Sequence, residues 1–279
     1  MIEICGLCKS YGQIKALDHL SLTINQGEVF GLLGPNGAGK TTTFRLLTTL
    51  ARPTAGKVFI SGQEVNRHSV KVKKEFGVVP QQLTLDSDLT ARENLVLHGM
   101  LHKIPGREMS IRIRELLALV ELENRSQSPV NEFSGGMKRR LMIARAMMQR
   151  PSILFLDEPT AGLDPQVRRQ IWDLLRRLNI QGVTVLLTTH YIEEAEQICS
   201  RVGILNQGKL IALGTPDELK AKVGKVVVEV PNQCGTEYRV FENREAAARY
   251  IAELDRDALV RESSLEDVFI ELTGRKVGE

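Results

Sequence analysis

Short apolar runs alternate with helical patterns along most of the chain. Runs typical of buried strands occupy positions 28–33, 58–61, 76–80, 153–157, 183–189 and 203–206. Helical patterns lie between several of them, so the chain is predicted to have an α/β fold with a mostly parallel sheet. Residues 83–149 differ, because they contain few β-branched runs and favour helices at 88–101, 110–122 and 137–149. We interpret them as a helical insertion.

The end of the chain carries separate signals. Thr215, Pro216 and Glu218 combine an N-cap, a proline at the first helical position and a capping-box glutamate, which predicts a helix start. Strands are predicted next at 225–230 and 237–241, then a helix at 244–254 and a last helix from about Ser264. We therefore divide the chain into a main domain, 1–222, and a small α+β appendage, 223–279. Four residues share one face of the last helix, which packs on the main domain or on a second copy: Leu265, Val268, Phe269 and Leu272.

Composition and charge exclude several classes of protein. The chain has 279 residues, 42% of them hydrophobic, which is normal for a packed globular protein. Its apolar runs are too short to cross a bilayer and its start lacks a secretory pattern, so we expect a cytosolic protein. The net charge of +3 is interspersed and gives no argument for nucleic-acid binding. Cys5 and Cys8 form a lone CxxC pair without a second ligand pair, and we interpret them as free thiols rather than a zinc or redox site.

The run at 28–33 leads into a glycine-rich segment that fits the template of a nucleotide-phosphate cradle, and a helical pattern at 42–50 follows. The glycines allow a tight turn whose N–H groups converge on a phosphate. Lys40 would reach the β- and γ-phosphates, and the Thr41 hydroxyl would coordinate Mg²⁺. The predicted nucleotide-binding residues here are Gly34, Pro35, Asn36, Gly37, Ala38, Gly39, Lys40, Thr41 and Thr42.

Three further side chains follow the ends of predicted parallel strands. Asp157 and Glu158 end the run at 153–157, where side chains face the ligand crevice of such sheets. We predict that Asp157 holds Mg²⁺ and that Glu158 orients or deprotonates the water that attacks the γ-phosphate. His190 follows the run at 183–189 and could donate a hydrogen bond to the developing phosphate charge.

A second candidate anion site precedes the helix at 137–149. Ser134, Gly135 and Gly136 stand before it, and cations occupy its first turns. Because one nucleotide does not need two helix N-termini for the same phosphates, a site shared between two chains is the economical explanation. This suggests a dimer.

These motifs, in this order, resemble those of the nucleotide-binding subunit of ATP-binding cassette transporters over residues 2–222. The resemblance implies a P-loop NTPase that hydrolyses ATP with Mg²⁺. It implies a homodimer or heterodimer of such subunits, bound to a separate membrane permease at the cytoplasmic face of the membrane, with no role for nucleic acid. Tyr11 is similar to the aromatic residue that stacks on adenine, and Gln81 to the glutamine that senses Mg²⁺ and the permease.

The resemblance assigns other residues to the dimer interface. Residues 134–137, which end at Met137, resemble the signature loop that contacts the nucleotide of the opposite subunit. Leu163 and Asp164 are similar to the end of the loop that crosses the interface, and Glu158 and His190 match the catalytic glutamate and switch histidine. The chain departs from the common pattern at three positions, with consequences for dimer strength and turnover: Phe133, Met137 and Ala161.

Residues 263–274 resemble the ending of ATPase subunits from exporters of drugs, polysaccharides or lipid-linked molecules. The leading hypothesis is therefore an ATP-hydrolysing subunit that powers an exporter. The alternatives are a soluble cassette ATPase without a permease, which the single cassette and missing coiled coil disfavour, and a regulator without turnover, which Glu158 and His190 disfavour. We expect the permease to contact residues 82–101, where Leu83, Leu85 and Leu89 fit a docking surface or the core equally well.

Overall fold

The computed structural model describes residues 1–66, 68–232, 235–254 and 257–273. Its strands are β1 (Ile2–Tyr11), β2 (Ile14–Ile24), β3 (Val29–Leu33), β4 (Ala55–Ile60), β5 (Gln63–Glu64), β6 (Phe76–Val79), β7 (Ile153–Asp157), β8 (Thr184–Thr189), β9 (Arg201–Asn206), β10 (Lys209–Gly214), β11 (Val226–Asn232), β12 (Gly235–Phe241) and β13 (Leu259–Glu262). Its α-helices are α1 (Lys40–Leu47), α2 (Val70–Lys73), α3 (Ala91–Leu101), α4 (Gly106–Leu119), α5 (Gly135–Ala146), α6 (Pro165–Ile180), α7 (Ile192–Ile198), α8 (Pro216–Val223), α9 (Arg244–Ala252) and α10 (Leu265–Thr273).

A sheet with strand order β10-β9-β3-β8-β7-β6 forms the centre of the main domain. All its neighbours pair in parallel except β10, which is an antiparallel edge strand. Strands β3, β7 and β8 are buried along their whole length, because helices cover both faces of such a sheet and leave no solvent side. The predicted α/β fold with a mostly parallel sheet is confirmed.

A second, antiparallel sheet has the order β2-β1-β4-β5. The run predicted at 58–61 belongs to β4 of this sheet, so its assignment to the parallel set was wrong. Along β2, buried and exposed residues alternate over the second half, as expected for a strand with one solvent face. Phe44 and Leu47 of α1 join Phe30 and Phe155 of the parallel sheet and Leu7 of β1 in one hydrophobic core. Helix α1 is therefore held between the two sheets.

The helical insertion is present as α3, α4 and α5, with boundaries a few residues from the predicted ones. Helix α3 begins after Thr90, whose side chain forms a capping box with Glu93. The helix predicted at 137–149 starts earlier, at Gly135, because Ser134 provides its N-cap. Similarly, α1 starts at Lys40 rather than residue 42. Arg112 of α4 donates to the carbonyl of Met147 at 2.9 Å, which ties this helix to the end of α5.

The appendage begins after α8, whose capping box of Thr215 and Glu218 confirms the predicted helix start. Strands β12, β11 and β13 form an antiparallel sheet, with α9 packed on one face. Helix α10 then returns to α8 and α7, and Leu265, Val268 and Phe269 are buried in the main core, whereas Leu272 is 45% exposed. Three of the four stripe residues thus pack on the main domain. None of the helices described is long and apolar enough to span a bilayer.

Candidate active site

The glycine-rich segment at 34–39 joins β3 to α1 in a backbone path that excludes larger side chains. A Cβ atom on Gly34 would lie 2.4 Å from the carbonyl oxygen of Leu205 at the end of β9. One on Gly39, where φ is 106°, would lie 2.7 Å from the carbonyl of Ala16 in β2. Glycine is therefore required at both positions by contact, and at Gly39 also by backbone conformation. The loop is fixed between the two sheets, and the N-terminus of α1 points its N–H groups toward its mouth.

Lys40 is buried at the start of α1, with 5% of its surface exposed. Its Nζ atom donates to the carbonyls of Gly34 at 2.8 Å and Pro35 at 3.0 Å and lies 3.6 Å from Glu158 Oε1. Burial lowers the pKa of Lys40, and the nearby charge of Glu158 partly opposes this effect. A polyphosphate at this loop would supply the negative charge that a buried ammonium group favours.

Asp157 and Thr41 offer oxygen ligands of the kind that Mg²⁺ prefers. The Thr41 hydroxyl donates to Asp157 Oδ1 at 3.4 Å, and Thr188 of the neighbouring strand β8 donates to the same oxygen at 2.5 Å. Asp157 is 3% exposed, and burial raises the pKa of its carboxyl group. A divalent cation would stabilise the charged carboxylate in this environment, so these two residues fit the predicted metal site.

Glu158 lies at the centre of the site, in a backbone conformation that is unusual for its type, with φ at 46°. Its N–H group donates to Thr188 O and Thr188 Oγ1, both at 3.1 Å, which holds this turn against β8. Gln81, which the resemblance predicts to contact Mg²⁺, here donates through Nε2 to Glu158 Oε2 at 3.1 Å. His190 Nδ1 lies 3.1 Å from Glu158 Oε1, within ion-pair distance but without the alignment of a hydrogen bond.

The signature loop and the interface loop lie against each other within the chain. Ser134 caps α5 by accepting a hydrogen bond from Met137 N at 3.3 Å. A Cβ atom on Gly136 would lie 2.4 Å from Val167 in the first turn of α6. Asp164 caps that helix, accepting from Val167 N at 3.0 Å. Because Ser134 and Gly135 are exposed, the start of α5 is accessible to a ligand held by another molecule.

Two of the cations that suggested a second anion site have partners in the chain. Arg139 of α5 is 5% exposed and donates to the carbonyls of Pro80 at 2.7 Å and Gln81 at 2.8 Å. Arg140 pairs with Glu121 at 3.3 Å. Arg139 therefore fixes the backbone that presents Gln81, a role that the sequence did not reveal. The sequence did contain an indication of this role, because Arg139 is a charged residue on the face of α5 that also carries the buried residues of the helix.

Tyr11 ends β1 and its side chain is 47% exposed, with Lys9 Nζ 4.9 Å from the ring centroid. Its position on the β1–β2 hairpin is compatible with the predicted stacking on a base. Nearby, Cys5 is exposed and Cys8 buried, as expected for strand positions that point to opposite faces.

Within the described residues, one group has the composition of a metal site: Cys8, Asp18 and His19. Lys15 Nζ lies 2.5 Å from Asp18 Oδ1, and Lys209 Nζ lies 3.6 Å from Asp18 Oδ2. Two ammonium groups already neutralise this carboxylate, and we assign no metal to the group.

Comparison with known proteins identifies the family. Residues 17–161 match the family model of the ABC transporter. The chain is 41% identical to daunorubicin resistance ATP-binding protein DrrA3 of Streptomyces coeruleorubidus, covering 100% of this chain and 98% of the relative. It is also 41% identical to Nod factor export ATP-binding protein I of Paraburkholderia xenovorans strain LB400, covering 99% and 98%.

A solved structure shares the fold of most of this chain. The ATP-binding cassette MJ0796, a dimer in a post-hydrolysis state with ADP and Pi, superposes with a TM-score of 0.69 and 33% identity over 77% of this chain and 98% of its own. The phosphate loop, the buried Asp157 and Glu158, and these similarities together show that the chain belongs to the ABC transporter family, as an ATP-binding subunit and ATPase.

Proposed function

We propose that this chain hydrolyses ATP in a dimer of such subunits and so drives export through a separate membrane permease. Two subunits close around two ATP molecules, and hydrolysis lets them open again. The main support for ATP hydrolysis by this site is the set of contacts around Glu158. Its carboxylate faces Lys40, Gln81 and His190 beside the phosphate loop.

The proposed chemistry assigns one task to each of these groups. The loop N–H groups and Lys40 bind the phosphates, while Thr41, Asp157 and Gln81 would hold Mg²⁺, which neutralises phosphate charge when bound. Glu158 accepts a proton from the attacking water, since its carboxylate lies 3.6 Å from the Lys40 ammonium group that would hold the γ-phosphate. His190 donates a hydrogen bond to the developing phosphate charge. Tyr11 stacks on the base.

The signature loop would complete the site of the opposite subunit. Support comes from the exposed Ser134 and Gly135 at the N-terminus of α5 and from the dimeric state of MJ0796. A mixing experiment tests the shared site. Lys40→Ala and Gly135→Asp subunits are each expected to be inactive, whereas their mixture contains dimers with one intact pair of phosphate loop and signature loop. Recovery of ATPase activity supports the proposal, and a mixture as inactive as its components contradicts it.

The permease is expected to dock on the helical insertion. Leu85 packs against the core, but a group of large apolar side chains around α3 is exposed: Leu83, Leu97, Met100 and Leu101. Exposed apolar clusters of this kind mark interaction sites. Leu101→Glu is therefore expected to abolish copurification with the permease without affecting ATPase activity of the free subunit. Ile180→Glu, at an 84% exposed position at the end of α6, is the matched control.

The names of two relatives and the resemblance carried by residues 263–274 support a class of cargo. The two curated relatives are named for daunorubicin resistance and Nod factor export, and we infer a drug, polysaccharide or lipid-linked molecule for this chain. Uptake by inverted vesicles that contain the permease and this subunit tests that inference. Full ATPase activity without any copurifying membrane protein would favour a soluble cassette ATPase instead.

A further inference from the structure

A buried carboxyl group joins the segments that carry Glu158 and His190. Glu194 lies in α7 with 0% of its surface exposed. Its Oε1 atom accepts hydrogen bonds from Thr160 Oγ1 at 2.9 Å and from Trp172 Nε1 at 3.1 Å. Thr160 is also fully buried and follows Glu158 by two residues, directly before the interface loop at 161–164. Glu194 thus fixes the chain just after Glu158 to the helix that follows His190.

A second connection joins the far end of the interface loop to the same segment. Arg168 of α6 donates through Nε to the carbonyl of Leu163 at 2.9 Å. Its guanidinium carbon lies 4.2 Å from the ring centroid of Tyr191, and that ring lies 4.1 Å from the His190 ring. The interface loop is therefore held at both ends by groups that also contact the histidine segment.

Stability alone does not explain a carboxyl group at position 194. Burial raises the pKa of Glu194, which shows that the fold disfavours its charged form. Its Oε2 atom is buried and accepts no hydrogen bond of normal geometry within the described structure, although the Thr189 hydroxyl is close enough to lower the pKa of the carboxyl group. Such groups are uncommon because an unpaired buried polar atom costs free energy that an apolar side chain would not. The Oε1 atom of this carboxyl group accepts hydrogen bonds from both the Thr160 hydroxyl and the Trp172 N–H group, and it thereby connects the two segments.

We propose that Glu194 is a positioning residue for ATP hydrolysis, which acts through Thr160 to set Glu158 relative to His190. Movement of the interface loop, when a second subunit or nucleotide contacts it, is transmitted through the same hydrogen bond to α7 and the histidine. This inference rests on the proposed roles of Glu158 and His190.

Two variants that each remove one donor to the same oxygen form the test. Thr160→Val cuts the loop connection and Trp172→Phe cuts the connection to α6. We expect Thr160→Val to lower kcat at least about tenfold with an unchanged KM for ATP, because a small misplacement of the catalytic acid slows the chemical step. Trp172→Phe should keep kcat within about twofold of the wild type. Equal losses in both variants, in parallel with melting temperature, would show a structural role and overturn the proposal.

A second measurement follows the hydrogen bond of Glu194 directly and not through ATPase activity. Trp172 is the only tryptophan of the chain, so its emission reports on the Glu194 hydrogen bond. We expect ATP to shift this emission in Glu158→Gln protein, and the added Thr160→Val substitution to remove the shift. A Trp172 emission that ATP leaves unchanged contradicts the transmission. Failure of the underlying assignment is distinguishable, because Glu158→Gln itself would then hydrolyse ATP.

Discussion

The Nδ1 atom of His190 lies 3.1 Å from the Oε1 atom of Glu158, although 31 residues separate them along the chain. The register of the parallel sheet causes this proximity, since Asp157 of β7 pairs with Thr188 of β8 and both chains then leave the sheet at the same edge. An acid and a histidine that follow adjacent strand ends thus meet beside the phosphate loop. Under the proposed assignment, both side chains would face the phosphate that Lys40 binds.

Replacement of Glu158 by glutamine is expected to stop turnover while preserving nucleotide binding. The amide keeps the shape of the side chain but cannot accept the proton of the attacking water, and loss of a general base lowers kcat by about 10²–10⁴. ATP-dependent dimers should then accumulate, which size-exclusion chromatography and a phosphate-release assay measure together. Glu132→Gln, at a 57% exposed side chain, serves as the control. Near-normal hydrolysis by Glu158→Gln would remove it from the catalytic role.

Replacement of Lys40 by alanine is expected to weaken ATP binding. A hydrogen bond from a charged group contributes about 2 kcal/mol, which corresponds to roughly thirtyfold in the dissociation constant. Titration with a fluorescent ATP analogue measures this loss, and Lys57→Ala is a control because that lysine is 60% exposed. Equal affinity of the Lys40 variant and the wild type would contradict the phosphate assignment.

The candidate site residues that belong to continuous sequence motifs could be predicted. The glycine loop, the two acids at the end of β7 and the histidine after β8 are local patterns with a physical requirement at each position. Thr188 and Arg139 were missed because their roles depend on contacts between distant segments. The Arg139 bond to Pro80 O spans 59 residues, and no local pattern shows which carbonyl a buried arginine reaches.

The parallel strands of the central sheet were predicted, whereas most of the antiparallel strands were not. Fully buried strands such as β3 and β7 stand out as continuous apolar runs. Strand β4 was detected but placed in the wrong sheet, because an apolar run does not reveal its partner. The antiparallel strands β1, β2, β5, β10 and β13 were not predicted. Of these, β5 and β13 are short and mostly exposed, so they lack an apolar pattern.

Replacement of Asp157 by asparagine is expected to stabilise the nucleotide-free protein and abolish its response to Mg²⁺. Because burial raises the pKa of Asp157 above 3.8, the carboxyl group favours the fold most below that pH and loses this contribution as the pH rises through the folded pKa. At pH 7 the neutral amide of the asparagine variant does not incur this loss of stability. Thermal unfolding without ligands should show a higher melting temperature for the variant, and Mg²⁺ with ATP should reverse the order by stabilising only the wild type. Asp173→Asn, with a 62% exposed side chain, should change neither result. A variant that Mg²⁺ and ATP stabilise as much as the wild type would exclude Asp157 as a metal ligand.

Replacement of Glu194 by glutamine is expected to separate the cost of its buried charge from its hydrogen bonds. Burial raises the pKa of Glu194 above its ordinary value of 4.5, while Thr189, Thr160, Trp172 and the charge of Arg168 oppose the shift. The contribution of Glu194 to stability is therefore complete below pH 4.5 and declines as the pH rises through the folded pKa. The amide oxygen still accepts from Thr160 and Trp172 but carries no charge at any pH. Unfolding in urea should thus find the variant more stable than the wild type at pH 7.5, with a difference that shrinks toward pH 4.5, whereas the exposed neighbour Glu193→Gln shows no such trend. If the difference in stability between the Glu194 variant and the wild type did not depend on pH, the Glu194 side chain would be equally protonated in the folded and unfolded states. That result would contradict the cost assigned here to the buried charge of Glu194.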